Sequence, residues 1–203
     1  MFKDHNDTRR KITADLINSS SPEDKTILDL GSKRGASTDM IKCRKRIRID
    51  MSKDVRPEII SNLSGNIPLK DNSVDICIAG DIIEHLYHSK QFISEIARIL
   101  KGDGILIISV PNIVSLKYRM KFLFGGIPSH AAKGDCTYPE PWKAGHIRDY
   151  SFKELRDLLK KHNFTVLEEK THGISYRYKV IVPHYLIPKT FGDSVIIKAM
   201  VKK

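Results

Sequence analysis

The stretch TILDLGSKRGAST, residues 26–38, decides the fold. Its opening TILDL reads as a short buried strand, and that strand runs straight into a turn carrying Gly31 and Gly35. Asp29 stands just before the turn, with Lys33 and Arg34 between the glycines. In open α/β sheets ligands bind beyond the C-terminal ends of the strands, so an acid and a glycine turn at a strand end mark the place to look for a site.

Working outward, apolar runs at 47–50, 58–61, 74–79 and 105–110 also read as strands, several of them apolar on both faces as in a covered parallel sheet. Helix-like segments lie between them: 37–43, a stretch after Asp81, and KQFISEIARILK at 90–101. In the last of these Phe92, Ile96, Ile99 and Leu100 share one face, and Gly102 lies just past the end. The alternation predicts an open α/β sheet.

The second half has a different texture. IVSLKYRMKFLF, residues 113–124, predicts an amphipathic helix with a basic side, and 125–145 predicts a long irregular loop. SFKELRDLLKKHNF opens with a capping-box pattern, Ser151 and Glu154, and turns Leu155, Leu158 and Leu159 inward. Two final strands, Phe164–Lys170 and Ser194–Val201, predict an antiparallel pair at one edge.

A chain of 203 residues and 23.1 kDa is long enough for one full core. One domain over 1–203 is expected, with 1–24 as an N-terminal helical extension and 113–150 as a lid or insert on the substrate side. No stretch approaches the roughly 18 apolar residues of a membrane span, and the charged MFKDHNDTRRKI has no apolar signal core, so a cytoplasmic protein is expected. Cys43, Cys77 and Cys136 form no C-x-x-C pair, which argues against a disulfide framework or a zinc site; Cys77 reads as a small core residue. The net charge of +11 favours anionic partners such as nucleic acid, a lipid surface or phosphorylated substrates without choosing among them, and a solvated basic surface is the simpler reading. The run KCRKRIR, 42–48, has no interleaved aromatic residue to stack a base, so a nucleic-acid track is not favoured.

The glycine turn permits two nucleotide readings. A dinucleotide site needs G-x-G-x-x-G/A so that the backbone approaches a pyrophosphate, but the three positions hold Gly31, Lys33 and Ala36. S-adenosylmethionine carries no phosphate. It asks for an acid at the first strand end, a tight turn, and a second acid at the next strand end for the ribose diol. Asp29, Gly31 and Gly35 meet the first two demands, and Asp50 meets the third about 20 residues on. The ribose rule also serves NAD, so Asp50 alone does not discriminate.

The segments ISNLSGNIPLKDNSVDICIAGDIIEHL and FISEIARILKGDGILIISVPN together resemble the core of class I S-adenosylmethionine-dependent methyltransferases, specifically the broad type-11 group. HIRDYSFKELRDLLKKHNF resembles the H-x-R-x-[FY]-[ST] helix of the same group. The resemblance implies a three-layer Rossmann-like fold with a mostly parallel seven-stranded sheet and an antiparallel C-terminal edge pair. It further implies S-adenosylmethionine as cofactor, with Asp29, Gly31 and Gly35 at the methionine end, and Asp50 with Met51 at the ribose and adenine. Asn62 falls where an acid usually accepts from the adenine amino group, with the Leu63 N–H beside it. Asp81 is placed by the sulfonium and the substrate mouth, with Ile82 and Ile83 packing below.

Glu84 and His85 do not form H-E-x-x-H and bring no clear third ligand, so no metal is expected. The resemblance implies that His146, with Arg148 and Tyr150 nearby, stands before the helix that closes the substrate side, and His146 and Asp81 are expected to act on the acceptor. Plainer roles remain open beside these: strand-end punctuation for Asp29 and Asp50, turn chemistry for Asn62, and packing for the histidines. The helix at 113–124 reads as an active-site cover, the alternative being a helix lying on an anionic membrane through Phe122, Leu123 and Phe124. The expected acceptor is a small molecule or a glycan-like one. The alternatives are an RNA methyltransferase, an NAD enzyme and a catalytically silent S-adenosylmethionine-binding module. The oligomeric state is not legible.

Overall fold

A computed structural model describes residues 4–31, 38–39, 41–126, 146–177 and 179–203. Nine strands and four α-helices run in the order α1 (His5–Asn18), β1 (Thr26–Leu30), β2 (Lys45–Asp50), β3 (Ile59–Ile60), β4 (Val74–Gly80), α2 (Ser89–Ile99), β5 (Leu100–Pro111), α3 (Leu116–Leu123), α4 (Phe152–Lys160), β6 (Phe164–Lys170), β7 (Ile174–Tyr176), β8 (Lys179–Val182) and β9 (Ser194–Val201) among the described residues. Seven of the strands form one sheet in the order β3-β2-β1-β4-β5-β9-β6. Every pairing from β3 to β5 is parallel, and β9 runs antiparallel to both β5 and β6. The order reverses between β1 and β4, which opens a crevice at the C-terminal ends of those strands.

The side-chain alternation of β1 explains the layers. Leu28 and Leu30 point to one face, where they join Phe92, Ile93, Ile96 and Ile99 of α2 and Phe152, Leu155 and Leu159 of α4 in a single core. Ile27 points to the other face and packs with Ile12, Leu16 and Ile17 of α1. Burial of a side chain such as Ile17, which keeps no exposed surface, contributes about 1.5–3 kcal/mol and so anchors α1 to the sheet. Asp4 begins this helix by accepting from the N–H groups of Asn6 and Asp7. Ser151 and Glu154 complete the predicted capping box of α4, with Leu155 and Leu159 buried and Leu158 packed beside the core. Cys77 is fully buried in β4, as expected.

Several sequence expectations are corrected. Residues 41–43 of the predicted 37–43 helix are not helical, and 38–39 form a turn. The stretch after Asp81 holds only a single 3-10 turn, Ile83–His85. The helix α2 ends at Ile99, and Leu100 is already extended, so Gly102 is not its cap; Asp103, at φ +61°, lies within β5 where its pairing with β4 is irregular. The hairpin β7–β8 was not among the predicted elements. Gly35, Lys33, Arg34, Cys136 and nearly all of the 125–145 loop lie outside the described residues. No helix among the described residues is long and apolar enough to cross a membrane.

Candidate active site

At the C-terminal ends of β1, β2 and β4 lies a cavity of about 450 Å³. Gly31, Asp50, Met51, Asn62, Leu63 and Asp81 all border it, so the structure brings together six of the residues singled out by the sequence. Apolar walls come from Met51, Leu63, Ile82 and Leu86. Gly31 is held at φ +65° with its N–H donating to the Ile49 carbonyl at 2.8 Å, and a Cβ there would meet Ile82 Cδ1 at 2.6 Å. The left-handed backbone favours glycine, and a side chain there would also displace the end of Ile82. Asp50 closes β2, is only 8% exposed, and accepts the Ser52 N–H at 2.9 Å through Oδ1. The Asn62 oxygen accepts from the Ser64 N–H at 2.9 Å, an Asx turn, which satisfies the plainer reading of this residue while leaving it on the cavity wall.

Asp29, in β1 two residues before Gly31, is 5% exposed and accepts from Thr38 Oγ1 at 2.9 Å. Burial raises its carboxyl to about 6, against the Thr38 hydrogen bond that lowers it; the charge of Asp39 adds to the rise, and Arg46 and Arg48 oppose it. A carboxyl in this state gains most from a cation brought to it.

Asp81 begins the loop after β4 in the left-handed region, at φ +51°. Its Oδ1 accepts from Ser109 Oγ at 2.9 Å, and its other oxygen pairs with Arg9 of α1. Arg9 had no expected role: it lies in the predicted extension, and only the packing of α1 on the sheet brings it to Asp81. Beyond Asp81 opens a second cavity of about 760 Å³. His146, Lys117 and Tyr118 border it from the predicted 113–150 segment, while His172, Arg177 and Asp193 border it from the C-terminal region, which sequence reasoning left out of the site. His172 is buried, with ring nitrogens 2.7 Å from Ser194 Oγ and 3.0 Å from Ser175 Oγ. In α3, Lys117 and Tyr118 face this cavity, whereas Phe122, Leu123 and Phe124 are exposed.

The segment 146–150 is pinned across the turn after β4. The N–H groups of Ile147 and Arg148 both donate to the Glu84 carbonyl, at 2.8 and 3.2 Å, and Arg148 also donates to the Tyr87 carbonyl at 3.1 Å. His146 thus comes to rest against His85, ring centroids 4.9 Å apart in an edge arrangement.

Residues 28–108 match the family described as methyltransferase domain. A probable S-adenosylmethionine-dependent methyltransferase of Mycobacterium tuberculosis is 33% identical over 100 residues, 44% of this chain and 36% of that protein. Residues 28–108 therefore carry a methyltransferase domain, and over the matched stretches the chain is similar to S-adenosylmethionine-dependent methyltransferases. It spans only about a third to a half of the length of the mycobacterial relatives it matches, 54% in the case of a Mycolicibacterium smegmatis protein 29% identical over 159 residues. Among solved structures, the Burkholderia thailandensis 1,6-didemethyltoxoflavin-N1-methyltransferase, which holds S-adenosylhomocysteine, shares the fold at a TM-score of 0.63 and 15% identity, over 97% of this chain and 79% of that one.

The methyltransferase domain can be tested for fit to its family cofactor on its own residues. An acid at the end of β2 suits a ribose diol, a buried and poorly solvated acid at the end of β1 suits an ammonium, and the apolar walls of Met51, Leu63 and Leu86 suit an adenine. The donor set fits S-adenosylmethionine.

Proposed function

We propose that this methyltransferase domain moves the methyl group of S-adenosylmethionine onto a small-molecule or glycan-like acceptor. The observation that carries the reading is that the two cavities meet at Asp81, which borders both. On this reading Asp50 and Met51 hold the ribose and adenine, the Leu63 N–H and Asn62 lie at the adenine edge, Asp29 with Gly31 and Gly35 lines the methionine end, and Asp81 stands between cofactor and acceptor. The bound cofactor supplies an electrophilic methyl group. The protein supplies alignment, which dominates the rate of such a transfer. His146 borders the acceptor cavity and orients the acceptor nucleophile there. Arg9, Lys117 and Arg177 outnumber Asp81 and Asp193 on the walls, so the acceptor side favours a molecule that carries a negative group.

The test is a screen of labelled methyl transfer from S-adenosylmethionine into pools of anionic metabolites, phosphorylated sugars and RNA. Label is expected in a small acidic acceptor; label confined to RNA would overturn the acceptor reading. With the acceptor in hand, His146→Ala is expected to lower turnover by about tenfold or more while cofactor affinity stays within about twofold, the pattern of a group that meets only the acceptor. Weakened cofactor binding with unchanged turnover of the bound complex would place His146 on the wrong side.

A further inference from the structure

We propose that Glu84, His85 and His146 bind a divalent transition-metal ion between the two cavities. One ligand atom from each of these residues lies within 4.8 Å of the other two. His85 borders the cofactor cavity and His146 the acceptor cavity, so an ion held by both lies at their junction. The sequence shows Glu84 and His85 side by side but no third ligand. The fold supplies it, through the two backbone hydrogen bonds that tie 147 and 148 to the Glu84 carbonyl.

The cluster has the character of a built site. Glu84 has no exposed surface, and carboxylates are almost never fully buried unless paired or coordinating. Its neighbours are two imidazoles; Glu84 and His85 lie on a short 3-10 turn, and the segment that follows His146 is tied to that turn by two backbone hydrogen bonds. Ligand atoms around an ion at about 2.0–2.1 Å stand roughly 3–3.4 Å apart, so the cluster closes on an ion with small rotations of the imidazole rings, which now meet edge to face at 76°. Two imidazole nitrogens and one carboxylate suit zinc, cobalt, nickel or ferrous iron better than magnesium or calcium. Arg9 lies close enough for the charge of Glu84 to act on it and opposes a cation, but its pairing with Asp81 offsets that charge. Three protein ligands leave coordination positions open, and these suit an acceptor bearing an oxygen.

The probe is Co²⁺, titrated into the metal-stripped full chain free of any histidine tag and followed by calorimetry and visible absorbance. One ion per chain is expected, bound at least about tenfold more weakly by His146→Ala and by Glu84→Gln. S-adenosylhomocysteine binding by each variant reports that it is folded, and the Co²⁺ spectrum tests the site even where that ligand does not bind. Absence of binding at millimolar Co²⁺, or equal affinity in the parent and both variants, would overturn the proposal. The result is independent of methyl transfer, so failure here leaves the proposed activity standing, and failure of that activity leaves this site standing.

Discussion

Asp50→Ala is expected to weaken S-adenosylhomocysteine binding by ten- to hundredfold. The carboxylate ends β2, is nearly buried, and borders the cavity beside Met51. Hydrogen bonds donated by a diol to such a carboxylate are worth about 1.5–3 kcal/mol, which is roughly that loss in affinity. Alanine also removes the acceptor for the Ser52 N–H, so part of the effect could pass through the 50–52 turn. Asp50→Asn separates the two contributions, because it keeps an acceptor for Ser52 while giving up the charge. Calorimetry on both variants, with a thermal melt beside it, is the check. Unchanged affinity in the alanine variant removes Asp50 from the cofactor site.

A pH dependence set by Asp29 is the second large effect. Burial raises its carboxyl from 3.8 to about 6 in the folded chain. The folded form therefore holds this proton more tightly than the unfolded one. The stability it contributes is fully present below the unfolded value and is lost as pH rises through about 6, by about 3 kcal/mol at most. A cation at the carboxylate reverses the balance. If Asp29 meets the ammonium of the methionine moiety, affinity for S-adenosylhomocysteine rises with pH by up to about tenfold per unit below 6 and levels off above it. The ligand's amino group, that of a free amino acid and more basic than a peptide N-terminus, stays charged through that window and does not confuse the reading. Asp29→Asn is expected to bind weakly with a flat profile, and to lose the fall in stability over the same range. A flat profile in the unaltered chain would take Asp29 away from the ammonium.

The parts of the fold that the sequence shows are those whose side chains record their burial. The run TILDL and the residues Phe92, Ile96 and Ile99 are apolar because both faces of the sheet are covered, and their periods survive in any reading. Ser151 and Glu154 announce α4 through the chemistry of its cap. The hairpin β7–β8 leaves no such record, since ISY and KVIV are short and partly exposed. The candidate site divides along the same line. Asp50, Met51 and Asn62 sit near strand ends already visible in the pattern, whereas the Arg9–Asp81 pair, the partnership of His146 with Glu84 and His85, and the wall formed by His172, Arg177 and Asp193 arise from packing between distant segments. No local spacing encodes them.

On the proposed function, the crevice between β1 and β4 holds S-adenosylmethionine and not a dinucleotide. The most direct test is calorimetric titration of the chain with S-adenosylhomocysteine and, separately, with NAD. Saturable one-to-one binding of S-adenosylhomocysteine is expected, with no heat of binding for NAD. Saturable binding of NAD with none of S-adenosylhomocysteine would contradict that function.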